Sequence, residues 1–191
     1  MTKDDTAGAG ARGQPSGLVR RRVDTRDEAA TGRLAATLAA MAEPGDVITL
    51  TGPVGAGKTS FARAFIRARA EGAGVLLGEV PSPTFTLVQC YEIGAAAIWH
   101  FDLYRLADPG EVWELGIEEA EGKGISLIEW PERMAPFLPA DRLDLVFAPI
   151  DEVRCPDLRR IALTAPDRGS WGHRLRTLAG AGLAADQEVA P

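Results

Sequence analysis

The chain has 191 residues, of which 46% are hydrophobic and 25% are charged, a composition typical of one globular domain. Its net charge of −6 argues against a protein that binds nucleic acid by itself, because such a protein needs a basic surface to neutralise phosphates. We therefore expect any nucleic-acid role to be indirect, through a partner. No stretch approaches the roughly 18 apolar residues that span a membrane, and the first residues lack the apolar core of a secretory signal, so we expect a soluble, cytoplasmic protein without membrane contact.

Cysteine and lysine usage narrows the kinds of site to consider. Cys90 and Cys155 lie far apart without a CxxC motif or a neighbouring histidine, so we expect structural residues rather than a zinc site or a disulfide. Only three of the 21 basic residues are lysines, namely Lys3, Lys58 and Lys123. Arginine therefore supplies most of the generic positive charge in this chain, and a lysine at a motif position indicates a specific role.

The N-terminal part contains a tail, a strand and a helix. Residues 1–18 have the composition of a disordered tail, and residues 18–23 predict a short edge strand. Thr25 and Glu28 have the spacing of a capping box, and apolar residues then recur at helical intervals. We expect the first helix to begin here and to end near Pro44.

The remaining elements alternate between strands and helices. Residues 46–52 predict a buried strand that runs into a glycine-rich loop, and residues 60–70 resume helical periodicity. Further strands are predicted over 86–93, 97–103, 124–129, 142–148 and 160–165, with helical segments near 111–120, 131–137 and 171–179. This order predicts an α/β, three-layer domain with a mixed, partly parallel sheet over residues 19–167. Residues 168–191 are expected to form a loosely held C-terminal appendage.

The glycine-rich loop has the pattern of a phosphate-binding loop, or P-loop, in which Gly, four residues and Gly-Lys-Ser/Thr lie between a strand and a helix. Its glycines let the backbone N–H groups converge on phosphate oxygens, and the helix N-terminus adds partial positive charge. Lys58 can reach the β- and γ-phosphates, and the Thr59 hydroxyl can bind Mg²⁺. We therefore predict a nucleotide site in a P-loop NTPase-like fold. The candidate binding residues are Gly52, Val54, Gly55, Ala56, Gly57, Lys58, Thr59 and Ser60.

A P-loop needs a partner carboxylate at the end of a neighbouring strand to hold the metal or orient the attacking water. Asp102 and Glu129 both end apolar strand candidates, and either can take either role. Trp130 directly follows Glu129 and could shape the site. His100 stands inside an apolar strand, so we expect it to be packed and hydrogen-bonded rather than catalytic.

Residues 80–84, with the sequence VPSPT, lie where P-loop switch proteins carry a segment that senses the γ-phosphate. The prolines fix the backbone and present the Thr84 hydroxyl, although a plain proline turn explains the same residues. No Asn-Lys-x-Asp motif is present, so guanine selectivity of the familiar GTPase kind is unsupported.

Several motifs, in order, resemble the TsaE (YjeE) family of small bacterial P-loop ATPases. The match covers roughly residues 23–165 and is carried by LTGPVGAGKTSFARAF, VPSPTFTLVQCY, WHFDLYRL, ELGIEE and LIEWPERM. The resemblance implies an ATPase required for making threonylcarbamoyladenosine in tRNA. The resemblance further implies that the protein binds the TsaB–TsaD heterodimer and that its ATP cycle resets that complex, with tRNA contacting the partners.

The resemblance also assigns roles by motif position. Lys58 would hold the phosphates, and Thr59 with Glu129 would bind Mg²⁺. Asp102 would take part in metal or water positioning, and Thr84 would sense the γ-phosphate. The remaining expectations place Trp130 beside the nucleotide and Glu28 and Thr31 near the adenine.

These observations lead to three hypotheses. The first is an ATP-hydrolysing switch that binds ATP and Mg²⁺, engages TsaB and TsaD, and hydrolyses slowly alone because Arg105 is the sole nearby candidate for an arginine finger. The second is a small-molecule P-loop kinase, which needs an acceptor site and an arginine-bearing lid. The third is a nucleotide-binding scaffold without turnover.

Overall fold

The computed structural model describes residues 17–150 and 157–178, together with the backbone alone of residues 151, 155–156 and 184–185. The strands are β1 (Leu18–Thr25), β2 (Val47–Thr51), β3 (Val88–Ile93), β4 (Ala96–Asp102), β5 (Ile125–Glu129), β6 (Leu143–Asp151), β7 (Cys155–Pro166) and β8 (Ala184–Ala185). The α-helices are α1 (Glu28–Met41), α2 (Lys58–Gly72), α3 (Ile117–Lys123) and α4 (Ser170–Thr177), and two 3-10 helices cover Pro109–Leu115 and Pro131–Phe137. None of the described helices is long and apolar enough to cross a membrane.

All described strands join one sheet in the order β3, β4, β5, β2, β6, β7, β1, β8. The central pairs β4–β5, β5–β2 and β2–β6 are parallel, whereas the pairs β3–β4, β6–β7, β7–β1 and β1–β8 are antiparallel. This mixed, partly parallel sheet confirms the predicted α/β class. The parallel centre brings the carboxyl ends of β2, β4 and β5 to the same edge of the sheet.

Two hydrophobic clusters cover the two faces of the sheet. Alternating residues of the central strands point to opposite faces: Ile48 and Leu127 join the cluster that holds α1, α2 and α4, whereas Val47 and Ile128 join the cluster that holds α3 and the 3-10 helices. The strands β2 and β5 are buried on both faces, as expected of central parallel strands. The domain therefore has three layers.

The N-terminal elements differ from two expectations. The predicted edge strand lies inside the sheet, because β1 pairs with β7 along its length and with β8 on its other side. Thr25 is not the helix cap: it ends β1 and is buried, and the Asp27 side chain accepts the hydrogen bond from the Ala30 N–H instead. The capping-box spacing is therefore offset from the true N-cap by two residues. The predicted tail falls almost wholly on residues 1–16, which lie outside the described part of the chain.

The C-terminal expectation is wrong for residues 170–178. Helix α4 packs against β1 and β7, and Trp171, Leu175 and Leu178 belong to the main hydrophobic cluster. Arg174 donates two hydrogen bonds of 2.6 Å to the buried carboxylate of Asp46, at the start of β2. This helix is part of the packed domain.

Two smaller expectations also change. The single helical segment predicted near 111–120 is a 3-10 helix followed by α3, because Gly116 adopts a left-handed conformation with φ of 81° between them. Cys90 is exposed on β3, so it does not fill the core, and partial burial of its thiol together with the negative charges of Glu92 and Glu119 raises its pKa. The side chain of Cys155 lies outside the described residues.

Candidate functional site

The predicted site residues meet at one edge of the sheet. The glycine-rich loop follows β2, Glu129 ends β5 and Asp102 ends β4. In the strand register, Glu129 lies between Leu50 of β2 and Asp102 of β4. The parallel centre of the sheet thus places both carboxylates beside the loop.

The loop backbone depends on glycine. Gly52 has φ of 148°, and a Cβ built on it would lie 2.5 Å from the carbonyl oxygen of Phe147 on the neighbouring strand. Gly55 and Gly57 have φ of 78° and 97° in open surroundings, so they are required by conformation alone. Gly57 is the N-cap of α2, which starts at Lys58. The helix N-terminus therefore points its free N–H groups toward the loop.

Lys58 is buried against its own loop. Its Nζ donates hydrogen bonds of 2.7 Å to the carbonyl oxygen of Gly52 and of 2.8 Å to that of Pro53. The same atom lies 4.0 Å from the centre of the Trp130 ring. Burial lowers the pKa of the Lys58 ammonium, and the charges of Glu129, Asp102 and Glu132 oppose that shift. The neighbouring carboxylates therefore offset part of the cost of burying the Lys58 ammonium.

Both oxygens of the Glu129 carboxylate have partners. Oε2 accepts a hydrogen bond of 2.9 Å from the Thr59 hydroxyl, and Oε1 lies 2.9 Å from Nε2 of His100. Glu129 and His100 are buried, at 2% and 0% exposed. His100 is packed and hydrogen-bonded as expected, and its partner is the site carboxylate itself.

Asp102 contacts the VPSPT segment. Its Oδ2 accepts a hydrogen bond of 2.7 Å from the Thr84 hydroxyl, and its Oδ1 accepts one of 3.2 Å from the Tyr104 N–H. The Ser82 hydroxyl lies 2.8 Å from that of Thr84. Arg63 on α2 donates from Nε to the carbonyl oxygen of Val80 at 2.9 Å. The segment is thus attached both to a site carboxylate and to the helix that follows the loop.

Trp130 completes the wall of the site. It adopts a left-handed backbone conformation with φ of 60° and ψ of 50°, which is strained for a bulky residue. Its N–H donates to the carbonyl oxygen of Leu50 at 3.3 Å, and its ring lies 4.9 Å from that of Tyr104. These contacts hold the indole over Lys58.

The two residues expected near the adenine are not part of this cluster. The Thr31 hydroxyl is buried and bonded to Thr25 Oγ1 at 3.1 Å and to the Asp27 carbonyl oxygen at 3.3 Å, so its polar group has a structural role. Glu28 is exposed and lines a cleft of about 460 Å³ that Ser60 also lines. Glu28 therefore lies beside α2, and no described contact joins it to the two site carboxylates.

Sequence reasoning missed the contacts that organise the site. It did not assign Arg63, Ser82 or Tyr104, and it did not connect His100 to Glu129. A signal existed for the last pair, because His100 and Asp102 are two residues apart on β4 and therefore face the same side of the sheet.

Comparison with known proteins decides the family. The family model described as "Threonylcarbamoyl adenosine biosynthesis protein TsaE" matches residues 25–155. The chain belongs to the TsaE family. The matched range contains every candidate site residue from Glu28 to Trp130. TsaE proteins are named for tRNA threonylcarbamoyladenosine biosynthesis, and the resemblance noted in the sequence is confirmed.

Curated relatives and a solved structure agree with this TsaE assignment. The chain is 40% identical over 136 residues to the tRNA threonylcarbamoyladenosine biosynthesis protein TsaE of Bacillus subtilis, covering 71% of this chain and 79% of that protein. It is 39% identical over 129 residues to the TsaE of Rickettsia felis, covering 66% and 71%. The crystal structure of Bacillus subtilis YdiB superposes with a TM-score of 0.62 at 31% identity, covering 86% of this chain and 95% of that one.

Proposed function

We propose that this TsaE-family protein is a slow, Mg²⁺-dependent ATPase whose nucleotide cycle drives or resets a TsaB–TsaD complex in tRNA threonylcarbamoyladenosine modification. The observation that carries the proposal is the pairing of two threonines with two strand-end carboxylates beside Lys58. Thr59 pairs with Glu129 and Thr84 pairs with Asp102. The first pair lies beside the phosphate loop and the second includes the VPSPT segment. Both pairs could therefore respond to whether a terminal phosphate is bound.

Phosphate binding would use the loop and Lys58. The N-terminus of α2 supplies N–H groups and partial positive charge, which favour a phosphate at this position. Lys58 would exchange the carbonyl oxygens of Gly52 and Pro53 for phosphate oxygens, which are stronger acceptors because they are charged. The Trp130 ring would limit the positions that the ammonium can take.

The donor set suits Mg²⁺. The Thr59 hydroxyl and Glu129 Oε2 are hard oxygen ligands within 2.9 Å of each other. Within the described residues no cluster of three or more His, Cys, Asp or Glu side chains could hold a metal alone. Mg²⁺ commonly keeps several waters and binds through one or two protein oxygens plus substrate phosphates, which fits this arrangement. When bound, the ion would neutralise charge that develops on the phosphates.

The second pair would couple the nucleotide to the surface. Thr84 donates to Asp102 in the present structure and would turn its hydroxyl toward a terminal phosphate when one is bound. Asp102 would then be free to accept a proton from, or orient, a water molecule. Arg63 holds Val80 against α2, at the other end of the VPSPT segment. A change in the hydrogen-bond partner of Thr84 would therefore change the conformation of the residues between Val80 and Thr84.

Hydrolysis by the isolated chain is expected to be slow. Arg105, the candidate arginine finger, lies over the exposed Phe85 ring at 4.5 Å and so is not held at the carboxylates. An added arginine in the transition state typically accelerates P-loop hydrolysis by about 10³ to 10⁵. We therefore expect the partners to stimulate turnover.

The test is ATP hydrolysis by the pure protein, alone and with TsaB and TsaD. Slow release of phosphate that rises severalfold with the partners supports the proposal, whereas full enzymatic rates without partners contradict it. Phosphate transfer to nucleoside monophosphates or small hydroxy acids would favour the kinase alternative. Glu129→Ala and Lys58→Ala are both expected to abolish biological function, whereas a scaffold without turnover would tolerate Glu129→Ala.

A further inference from the structure

His100 has an unusual position for a fully buried histidine. It lies on β4, with Leu127 of β5 and Gln89 of β3 as its register partners, and it is 0% exposed. Its Nε2 is 2.9 Å from Oε1 of Glu129, while its Nδ1 has no hydrogen-bond partner among the described residues. Burying an imidazole is costly unless its polar atoms are used. The hydrogen bond that it does make is to the carboxylate at the centre of the site.

The direction of this hydrogen bond follows from the chemistry of the acceptor. An ionised carboxylate only accepts hydrogen bonds, so Nε2 of His100 carries the proton and donates to Oε1. Thr59 donates to the other oxygen, Oε2. Two donors from different elements therefore fix both the position and the rotation of the carboxylate.

A nearby cation offers the Glu129 carboxylate an alternative partner. The charge of Glu129 acts on the Lys58 ammonium, which is the nearby cation on the loop. Without a donor at Oε1, the carboxylate would lose one of its two anchors and could turn toward that ammonium. His100 thus keeps Oε2 beside Thr59, where a metal ion would need both oxygens.

We propose that His100 is a positioning residue for Mg²⁺ binding: its Nε2–H holds Glu129 so that Oε2 and the Thr59 hydroxyl are presented together to the ion. The inference rests on the proposed MgATP site. Donors that orient metal-binding side chains in this way typically change metal affinity by about 10- to 100-fold when they are removed.

The experiment measures Mg²⁺ dependence of nucleotide binding rather than hydrolysis. A fluorescent ATP analogue is titrated into the full chain with EDTA and at increasing Mg²⁺, giving a metal-free Kd and a half-saturating Mg²⁺ concentration. For His100→Leu we expect the metal-free Kd to stay within about twofold and the half-saturating Mg²⁺ concentration to rise about tenfold. Phe101→Leu is the matched control, since Phe101 is equally buried on β4 but faces the opposite side of the sheet. It should leave the Mg²⁺ dependence unchanged.

A second pair of variants keeps the test decisive if His100→Leu does not fold. The amide of Gln can reach the position of Nε2, whereas the shorter Asn amide falls near Nδ1, so His100→Gln should restore most of the Mg²⁺ dependence and His100→Asn should not. Equal Mg²⁺ dependence in Gln and Asn variants, or an unchanged dependence in His100→Leu, would overturn the inference while leaving the proposed function standing. Nucleotide binding by the wild type that does not respond to Mg²⁺ would overturn both.

Discussion

Lys58 shows at the level of one side chain how the proposed phosphate site is built. The ammonium is almost fully buried, bonded to two carbonyl oxygens of its own loop and covered by an indole. Burial lowers its pKa, and the charges of the surrounding carboxylates oppose that shift. A phosphate would add further negative charge and favour the charged lysine.

Replacing this lysine tests that role. Lys58→Ala is expected to weaken MgATP binding by about 100-fold, because charged hydrogen bonds to the phosphates are lost. Lys123→Ala is the matched control, since Lys123 is exposed at the end of α3. Titration with a fluorescent ATP analogue measures both, and equal affinities for the two variants would contradict the role given to Lys58.

Gly52 is required for two reasons: its backbone has positive φ, and the Phe147 carbonyl oxygen leaves no room for a Cβ. Gly52→Ala should reduce the free energy of unfolding by at least about 2 kcal/mol, because its Cβ would collide with the Phe147 carbonyl at a position that already has positive φ. Gly55→Ala has open surroundings, so its cost is expected to be about 1 kcal/mol from conformation alone. Denaturant unfolding of both variants measures the difference, and equal losses would show that the contact with Phe147 is unimportant.

At the scale of elements, the VPSPT segment connects α2 with the site carboxylate Asp102 at the end of β4. It is held at one end by Arg63 and at the other by the bond from Thr84 to Asp102. The prolines at positions 81 and 83 restrict the backbone between these points. A change in the partner of Thr84 is therefore a change in the shape presented at the surface.

Thr84→Val tests the segment as a sensor. We expect MgADP affinity to remain within about threefold, whereas partner-stimulated hydrolysis falls by about tenfold or more, because one hydrogen bond to the reacting phosphate is lost. Thr84→Ser should retain activity. Thr86→Val serves as the control, since the exposed Thr86 accepts a hydrogen bond only from Gln89. Loss of ADP binding together with hydrolysis would indicate a structural role for Thr84 instead.

Helix α4 contributes stability rather than chemistry. Arg174 donates to both oxygens of the buried Asp46, donates to the Met41 carbonyl oxygen and lies 4.2 Å from the Trp171 ring centre. Asp46 precedes β2, whereas the phosphate loop follows that strand, so α4 and the site lie at opposite ends of it.

Breaking this pair should lower stability without affecting the site. Arg174→Met is expected to cost about 3 kcal/mol, because it leaves a buried carboxylate without its partner. Arg176→Met, which removes the exposed pair with Asp167, should cost less than about 1 kcal/mol. Thermal unfolding measures both variants, and nucleotide affinity should be unchanged in each. A stability loss of the same size in both would contradict the assignment.

For the whole molecule, the site was more predictable than the packing around it. Asp102 and Glu129 were found because parallel strands end at one edge of a sheet, and Lys58 because the loop pattern demands a lysine. The alternation of β4 places His100 on the same face as Asp102, but its contact with Glu129, which lies 29 residues away in the sequence, also depends on the register of β4 and β5, and local patterns do not specify that register. The burial of Trp171 likewise depends on how α4 packs against β1 and β7, which the local sequence of this short helix does not specify.

Assembly with nucleotide tests the central claim most directly. The protein is mixed with TsaB and TsaD in the presence of MgATP, MgADP or no nucleotide, and complex formation is followed by size-exclusion chromatography, with Lys58→Ala and Lys123→Ala as the matched pair. We predict a three-protein complex with MgATP, less with MgADP, and none for Lys58→Ala, while Lys123→Ala behaves as wild type. Absence of assembly with every nucleotide, or assembly of Lys58→Ala equal to that of the wild type, would contradict the account.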